Sequence, residues 1–216
     1  MRRATAIIPA ILLAMALAGP ATADSGGHGA GNGFVPPNAR IHGSSLEQLA
    51  IAWNVYAFST PAPENPLITP HCEQSPTDER IWFVPVSIGG DYEVDCEVPT
   101  GAFLVATPAG YFCEPVEAGG SSTAALLTCA TNGFSTLTFV EVLLDGRQAK
   151  NLDSYVVTTP RIELAGPNLL SDDPTPIIDK GIYVVIKPLT PGHHTLRLYD
   201  EFGALAFGVT VNLTVS

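Results

Sequence analysis

Basic residues are scarce in this chain: ten lysines and arginines stand against 21 aspartates and glutamates, for a formal net charge of -11. Nucleic acid and anionic membranes recruit proteins through Lys/Arg clusters, so neither is expected as a partner. Long apolar runs are also scarce. The one that occurs, Ala4 to Gly19, is shorter than the roughly 20 residues a bilayer span needs. Metal and catalytic signatures are missing as well. There is no C-x-x-C pair for zinc, no H-E-x-x-H, and no acidic loop with EF-hand spacing. The chain has no G-x-S-x-G elbow and no alternation of strand and helix patterns, which argues against an α/β-hydrolase.

What is present begins with a processing signal. Met1-Arg2-Arg3 is a positive start, Ala4 to Gly19 an apolar stretch, Pro20 a breaker, and Ala21-Thr22-Ala23 a small-x-small site. This pattern predicts a signal peptide over 1–23, cleaved after Ala23, and therefore a secreted or cell-envelope protein. No cysteine lies near the site, so a lipid-anchored N-terminus is not expected. Residues 24–43 read as a flexible lead-in rich in Gly and Pro, and 44–216 as a single domain. The glycines of the lead-in follow no strand, so they do not read as a phosphate loop.

All four cysteines, Cys72, Cys96, Cys113 and Cys129, lie beyond the signal peptide. An even count in an exported chain argues for disulfides. Three pairings are possible, and Cys72–Cys96 with Cys113–Cys129 is favoured because it closes short loops beside predicted strands. Each bond is expected to add about 3 kcal/mol by the chain-entropy estimate.

The strongest helix pattern covers 45–58, opened by Ser44 and Glu47 as a capping box. Leu46, Leu49, Ala50, Trp53 and Ala57 form one apolar stripe, and Ile51, Val55 and Phe58 another. A helix apolar on most of its circumference is expected to be buried on most sides, with Trp53 in the core. Four prolines then hold 59–71 irregular. Beyond them, strand patterns dominate. Tyr92, Val94, Cys96 and Val98 alternate with acidic residues, and Thr136 to Leu144 runs into the hairpin signal Asp145-Gly146. Ser122 to Ala130 reads as a short second helix stopped by Asn132-Gly133. His194 to Leu198 and Phe207 to Val215 alternate as two antiparallel strands. The predicted fold is mainly β: an antiparallel sandwich, Ig-like or jelly-roll-like, with one packed N-terminal helix.

The helix with Trp53, followed by Asn65-Pro66, resembles the opening of a group of uncharacterised secreted bacterial proteins. Trp82-Phe83, Cys96-Glu97-Val98-Pro99-Thr100-Gly101, Asp145-Gly146 and the stretch from Lys187 to Thr195 extend the resemblance thinly over most of the chain. It implies a helix-decorated β-sandwich. No activity or catalytic residue is assigned to that group, so it implies none here.

Candidate chemistry is sparse. No cofactor is expected. A structural calcium has Asp91, Asp95, Asp172, Asp173 and Asp179 to draw on as hard oxygen donors. His193 and His194 are neighbours on a predicted strand and point to opposite faces. His28, His42 and His71 read as unconnected. Glu141 sits among Phe139, Val140, Val142 and Leu143, where burial of its face would make it a general acid for glycan hydrolysis. The plainer reading is a partly exposed face. Glu93, Asp95 and Glu97 read as a solvated row, and Tyr92, Tyr111, Tyr155, Tyr183 and Tyr199 as packing residues or a ligand platform. The leading expectation is a non-enzymatic binding or cell-envelope interaction module with a protein or glycan ligand. The rival is a secreted hydrolase working on glycans through acidic residues. Peptide mapping of the unreduced protein should find Cys72 linked to Cys96 and Cys113 to Cys129; free thiols at all four positions would restore a redox or metal role.

Overall fold

The computed structural model describes residues 33–86 and 88–216. The expected signal peptide over 1–23, residues 24–32 of the lead-in, and His28 lie outside them. In chain order the elements are α1 (Leu46–Ser59), β1 (Glu73–Gln74), β2 (Ile81–Phe83), β3 (Gly90–Val98), β4 (Phe103–Cys113), α2 (Pro115–Ala118), α3 (Thr123–Phe134), β5 (Leu137–Leu144) and β6 (Arg147–Gln148). A 3-10 turn (Leu152–Tyr155) leads to β7 (Val156–Thr158), β8 (Ile162–Leu164), β9 (Thr175–Ile186), β10 (Gly192–Phe202) and β11 (Leu205–Val215).

The strands make two sheets packed as a sandwich. One has the order β1-β2-β4-β9-β7, with β8 also on β9; the other is β3-β11-β10-β5-β6. The mainly β architecture follows from the alternation in the sequence. Val94, Cys96 and Val98 point inward from β3 while Glu93, Asp95 and Glu97 stay exposed. Both sheets are mixed, however. β2 runs parallel to β4, and β3 parallel to β11. Alternation reports which face of a strand is buried and is silent on its neighbour's direction.

β9 is the centre of the first sheet, and nearly every one of its side chains is buried. Its one edge carries β4. Three short segments share the other: β8 at 175–177, β7 at 180–182, and the lead-in beyond. The lead-in therefore needs correction where it is described. Phe34 is 1% exposed, and Val35 and Ile41 are buried too. Val35 N–H donates to Val185 O at 2.8 Å and Lys187 N–H to Gly33 O at 2.8 Å. The vacant end of the β9 edge needs backbone partners, and Phe34 and Val35 gain by leaving water.

Two helix boundaries move. Ser45 is the N-cap of α1, not Ser44: Gln48 N–H donates to Ser45 Oγ at 3.3 Å, and Ser45 N–H to Gln48 Oε1 at 2.9 Å. The backbone of Ser44 is occupied in a two-way bridge with Ile41, so the box starts one residue later. The α1 stripe through Leu46, Leu49, Trp53 and Ala57 is buried as expected, whereas Val55 of the second stripe faces solvent. Trp53 Nε1–H donates to Val84 O at 3.2 Å, which satisfies the one polar group of the ring. Asn132-Gly133 does not stop α3, which continues to Phe134. Gly133 is there for space: a Cβ would fall 2.2 Å from the Tyr111 ring.

The favoured cysteine pairs are both bonded, with Cα–Cα distances of 5.6 Å for Cys72–Cys96 and 6.0 Å for Cys113–Cys129, ordinary for disulfides. The first ties β3 of one sheet to the residue preceding β1 of the other. The second ties α3 to the end of β4. At the β5–β6 hairpin, Asp145 and Gly146 take positive φ of 50° and 74°, the pair of left-handed conformations a type I′ turn requires.

Trp53→Ala should destabilise the protein by about 3–5 kcal/mol, the usual cost of emptying a large aromatic site. Urea unfolding of the variant beside wild type measures this directly, and an unchanged midpoint would mean that the α1 contact is dispensable.

Candidate functional site

Where β4 passes β9, its pairing slips between Ala106 and Ala109. Pro108 lies inside the slip and has no N–H to give the ladder. Beside this irregularity a cavity of about 380 Å³ opens, walled by both sheets and by α1. That volume lies in the range of small-molecule sites. Trp53 and Phe58 line it from α1, Phe112 from β4, and Leu198, Phe207 and Val209 from β10 and β11. Its rim includes two apolar side chains left in water, Ile88 at 53% and Leu205 at 63% exposure.

Two buried carboxylates interrupt this hydrocarbon wall. Asp179 lies on β9 and is 5% exposed. Tyr183 O–H donates to Asp179 Oδ2 at 2.5 Å, and Asn54 Nδ2–H donates to Tyr183 Oη at 2.5 Å and to Ala50 O at 3.0 Å. The network joins α1 to the centre of the sheet. Gly110 and Gly181 leave the carboxylate its room, since a Cβ at either would come within 3.3 Å of its oxygens. Burial pushes the Asp179 pKa up to about 6, against the opposing pull of the Tyr183 hydrogen bond.

Asp200 is different. It follows Leu196 and Leu198 at the third inward position of β10 and is 8% exposed. Among the described residues its carboxylate has no hydrogen bond and no ion pair. Burial alone pushes its pKa up to about 7. A third acid, Glu117, accepts from Tyr111 O–H at 2.6 Å beside the same cavity.

The residues singled out from sequence lie mostly elsewhere. Glu141 is half-exposed, opposite Tyr199, on the outer face of β5, whose inward side chains are Val142 and Leu144. It does not line the cavity, so the plainer reading of a partly exposed face holds and the alternative of a buried general acid at 141 does not: the strand's other face is the one that goes inside. Glu93, Asp95 and Glu97 form the solvated row expected. The five aspartates weighed for calcium are not gathered. Asp91 is paired with Arg197 at 2.7 Å, Asp95 accepts from Asn212, and Asp179 is held by Tyr183. Among the described residues the one three-ligand group is Cys113, Glu117 and Cys129, and its two sulfurs are spent in a disulfide. His193 and His194 diverge as expected, toward Thr214 and Asp145 respectively. His42 and His71 are not unconnected: the first contacts Asp78 at 2.7 Å and the second Glu73 at 3.7 Å. Tyr155 and Tyr183 are buried, while Tyr92, Tyr111 and Tyr199 are half-buried and form no common platform.

Asp200 and the siting of Asp179 were missed. The available signal was a carboxylate continuing the Leu196-x-Leu198 register, and an aspartate inside the apolar run from Ile177 to Ile186.

No protein-family model and no curated protein matches the sequence. Among solved structures, the chain is similar to one described as the structure of PbICP-C in complex with falcipain-2. The identity is 11%, the match covers 59% of this chain and 91% of that chain, and the TM-score is 0.28. A likeness that slight carries no argument about fold or function.

The two aspartates contribute to the pH response, alongside His194, whose pKa is raised by its hydrogen bond with Asp145. The folded pKa values of Asp179 and Asp200 lie above the ordinary 3.8. The folded state therefore holds their protons more tightly, and this contribution to stability is full below about pH 4 and lost as pH rises through about 6 and 7. Asp78 and Asp91 act oppositely. Their pKa values are lowered, by the Arg80 backbone N–H and the Arg197 guanidinium respectively, so their contribution is lost only as pH falls below the ordinary range. Asp200→Asn should raise stability at pH 8 by on the order of 2–4 kcal/mol and flatten the decline between pH 4 and 8. Urea midpoints across that range test it; a variant as pH-sensitive as wild type would show that Asp200 is not the titrating group.

Proposed function

We propose that this is an exported binding protein that holds a small, largely apolar molecule in the cavity between its sheets. The observation that carries the reading is the cavity itself: a mostly hydrocarbon wall, a few fixed polar groups, and an apolar rim in solvent. Ligand sites have this composition, because apolar burial supplies affinity and sparse polar groups set orientation. Export is supported by the residue pattern over 1–23 and by the two disulfides, which persist in oxidising compartments. The broader reading, an interaction module of the cell envelope, is compatible with such a site.

The hydrolase reading also gains an observation, though not at Glu141. Asp179 and Asp200 line one cavity, and each carries the raised pKa that a general acid requires. A glycan, however, presents hydroxyls on every side, and a hydrocarbon wall leaves most of them unpaired at a cost. The apolar ligand is the better fit.

A neutral solvatochromic dye such as Nile red should bind the protein and brighten, and n-octanol should displace it. Leu205→Asp, at the exposed rim, should weaken the dye about tenfold, the loss expected when a charge replaces an apolar contact, with little change in melting temperature. A dye that binds the variant equally well, or a protein that binds neither the dye nor an eight-carbon amphiphile by calorimetry, would overturn the reading. Release of chromophore from a chromogenic glycoside, abolished by Asp200→Asn, would move the assignment to the hydrolase.

A further inference from the structure

The Asp200 carboxylate has no structural duty in the protein. The other buried acid of the cavity is tied in, Asp179 to Tyr183, and Asn54 donates to Ala50 and Tyr183; the Thr107 hydroxyl on the same wall has no partner among the described residues but carries no charge. A leucine at 200 would simply continue the inward row of Leu196 and Leu198. In place of an apolar residue there is an ionisable group, 8% exposed, on the wall of a cavity. Isolated burial of a carboxylate is costly, so the group is uncompensated until something enters beside it.

Among the described residues no cation performs that role. Arg197 points to the opposite face of β10, where its guanidinium engages Asp91 and Thr210. Lys180 lies over the Phe134 ring, 5.8 Å from its centroid. The titratable groups lining the same cavity are Asp179 from β9, Tyr111 from β4 and Glu117 from α2. The stretches of β11 and α1 lining it add none, and the β5 partner of Asp200 is Val140. Every neighbour that carries charge carries it negatively. Low-dielectric walls concentrate such a field inside a cleft, and a chain of net charge -11 reinforces it from outside.

We propose that the ligand is an amphiphilic amine: an apolar body filling the cavity, with a protonated amino group seated on the carboxylate of Asp200. This rests on the reading of the cavity as a small-molecule site and names the chemistry of its occupant. The ammonium supplies the missing counter-charge, and the hydrocarbon supplies what the Phe, Leu and Val wall requires. A neutral alcohol would fill the cavity and leave the charge unmet; a carboxylate would be repelled.

The test displaces bound Nile red at pH 8 with n-octylamine, n-octanol and n-octanoate, which share chain length and differ in head group. Octylamine should act at roughly tenfold to hundredfold lower concentration than octanol, the worth of a buried hydrogen bond to a charged group, and octanoate should be the poorest. Asp200→Asn should retain the dye and abolish the preference for amine over alcohol. In wild type the preference should shrink by about tenfold per pH unit below pH 7, as ligand and proton compete for one carboxylate; this profile needs no variant. An amine no better than the alcohol, or a preference that survives in Asp200→Asn, overturns the proposal while leaving the apolar site standing. If the dye itself fails to bind, calorimetric titration with octylamine decides: no heat at pH 8 overturns both, whereas saturable heat lost in Asp200→Asn sustains the amine site.

Discussion

Burial of both faces of β9 is the constraint to which the rest of the structure answers. A strand covered on both sides must satisfy its backbone through its edges and cannot leave polar side chains unattended. The edges are filled by β4 on one side and on the other by a succession of short pieces, β8, β7 and the residues around Phe34. The buried acid it carries, Asp179, is met by Tyr183 two turns of the pleat away and through it by Asn54 of α1. The helix is thus held by a buried polar chain as well as by Trp53. Such a network specifies one seating of the helix, where hydrocarbon contacts alone would tolerate sliding.

The same density of packing makes the cavity conspicuous. Protein interiors close voids because every lost contact costs dispersion energy. Here the slip in β4 at Pro108 prevents closure, and glycines at 110 and 181 keep the carboxylate of Asp179 uncrowded. Asp200 adds a second departure from economy. Stability would be better served by an apolar residue there, and places where a fold departs from its own pattern are those where function has been accommodated at the expense of stability.

Much of this was legible in the residues. The β10–β11 pair, the acidic outer face of β3, the Asp145-Gly146 turn and the buried Trp53 all follow from local periodicity or turn chemistry. What escaped depended on distant partners. Phe34 looks like part of a tether until β9 offers it an edge. Gly133 looks like a helix stop until the Tyr111 ring is seen to occupy the space of its missing side chain. The inward aspect of Asp200 was available from the Leu196-x-Leu198 register, but an acid is ordinarily read as the end of a buried row. Glu141 shows the converse: apolar neighbours in sequence do not bury a residue when the pleat turns it outward, which is why a partly exposed face is the plainer reading there.

The parallel pairing of β3 with β11 sets an order of arrival. β3 sits at the edge of its sheet, and its one partner runs from Phe207 to Val215. A chain delivered from its N-terminus therefore exposes an apolar strand that has nothing to lie against until the last hairpin emerges. Cys72 and Cys96 both emerge well before that hairpin. Oxidation at that stage would moor the waiting strand to the opposite sheet, withholding its bare edge from neighbouring chains. The bond between the sheets would then serve as an escort during delivery before it serves as a brace in the finished molecule.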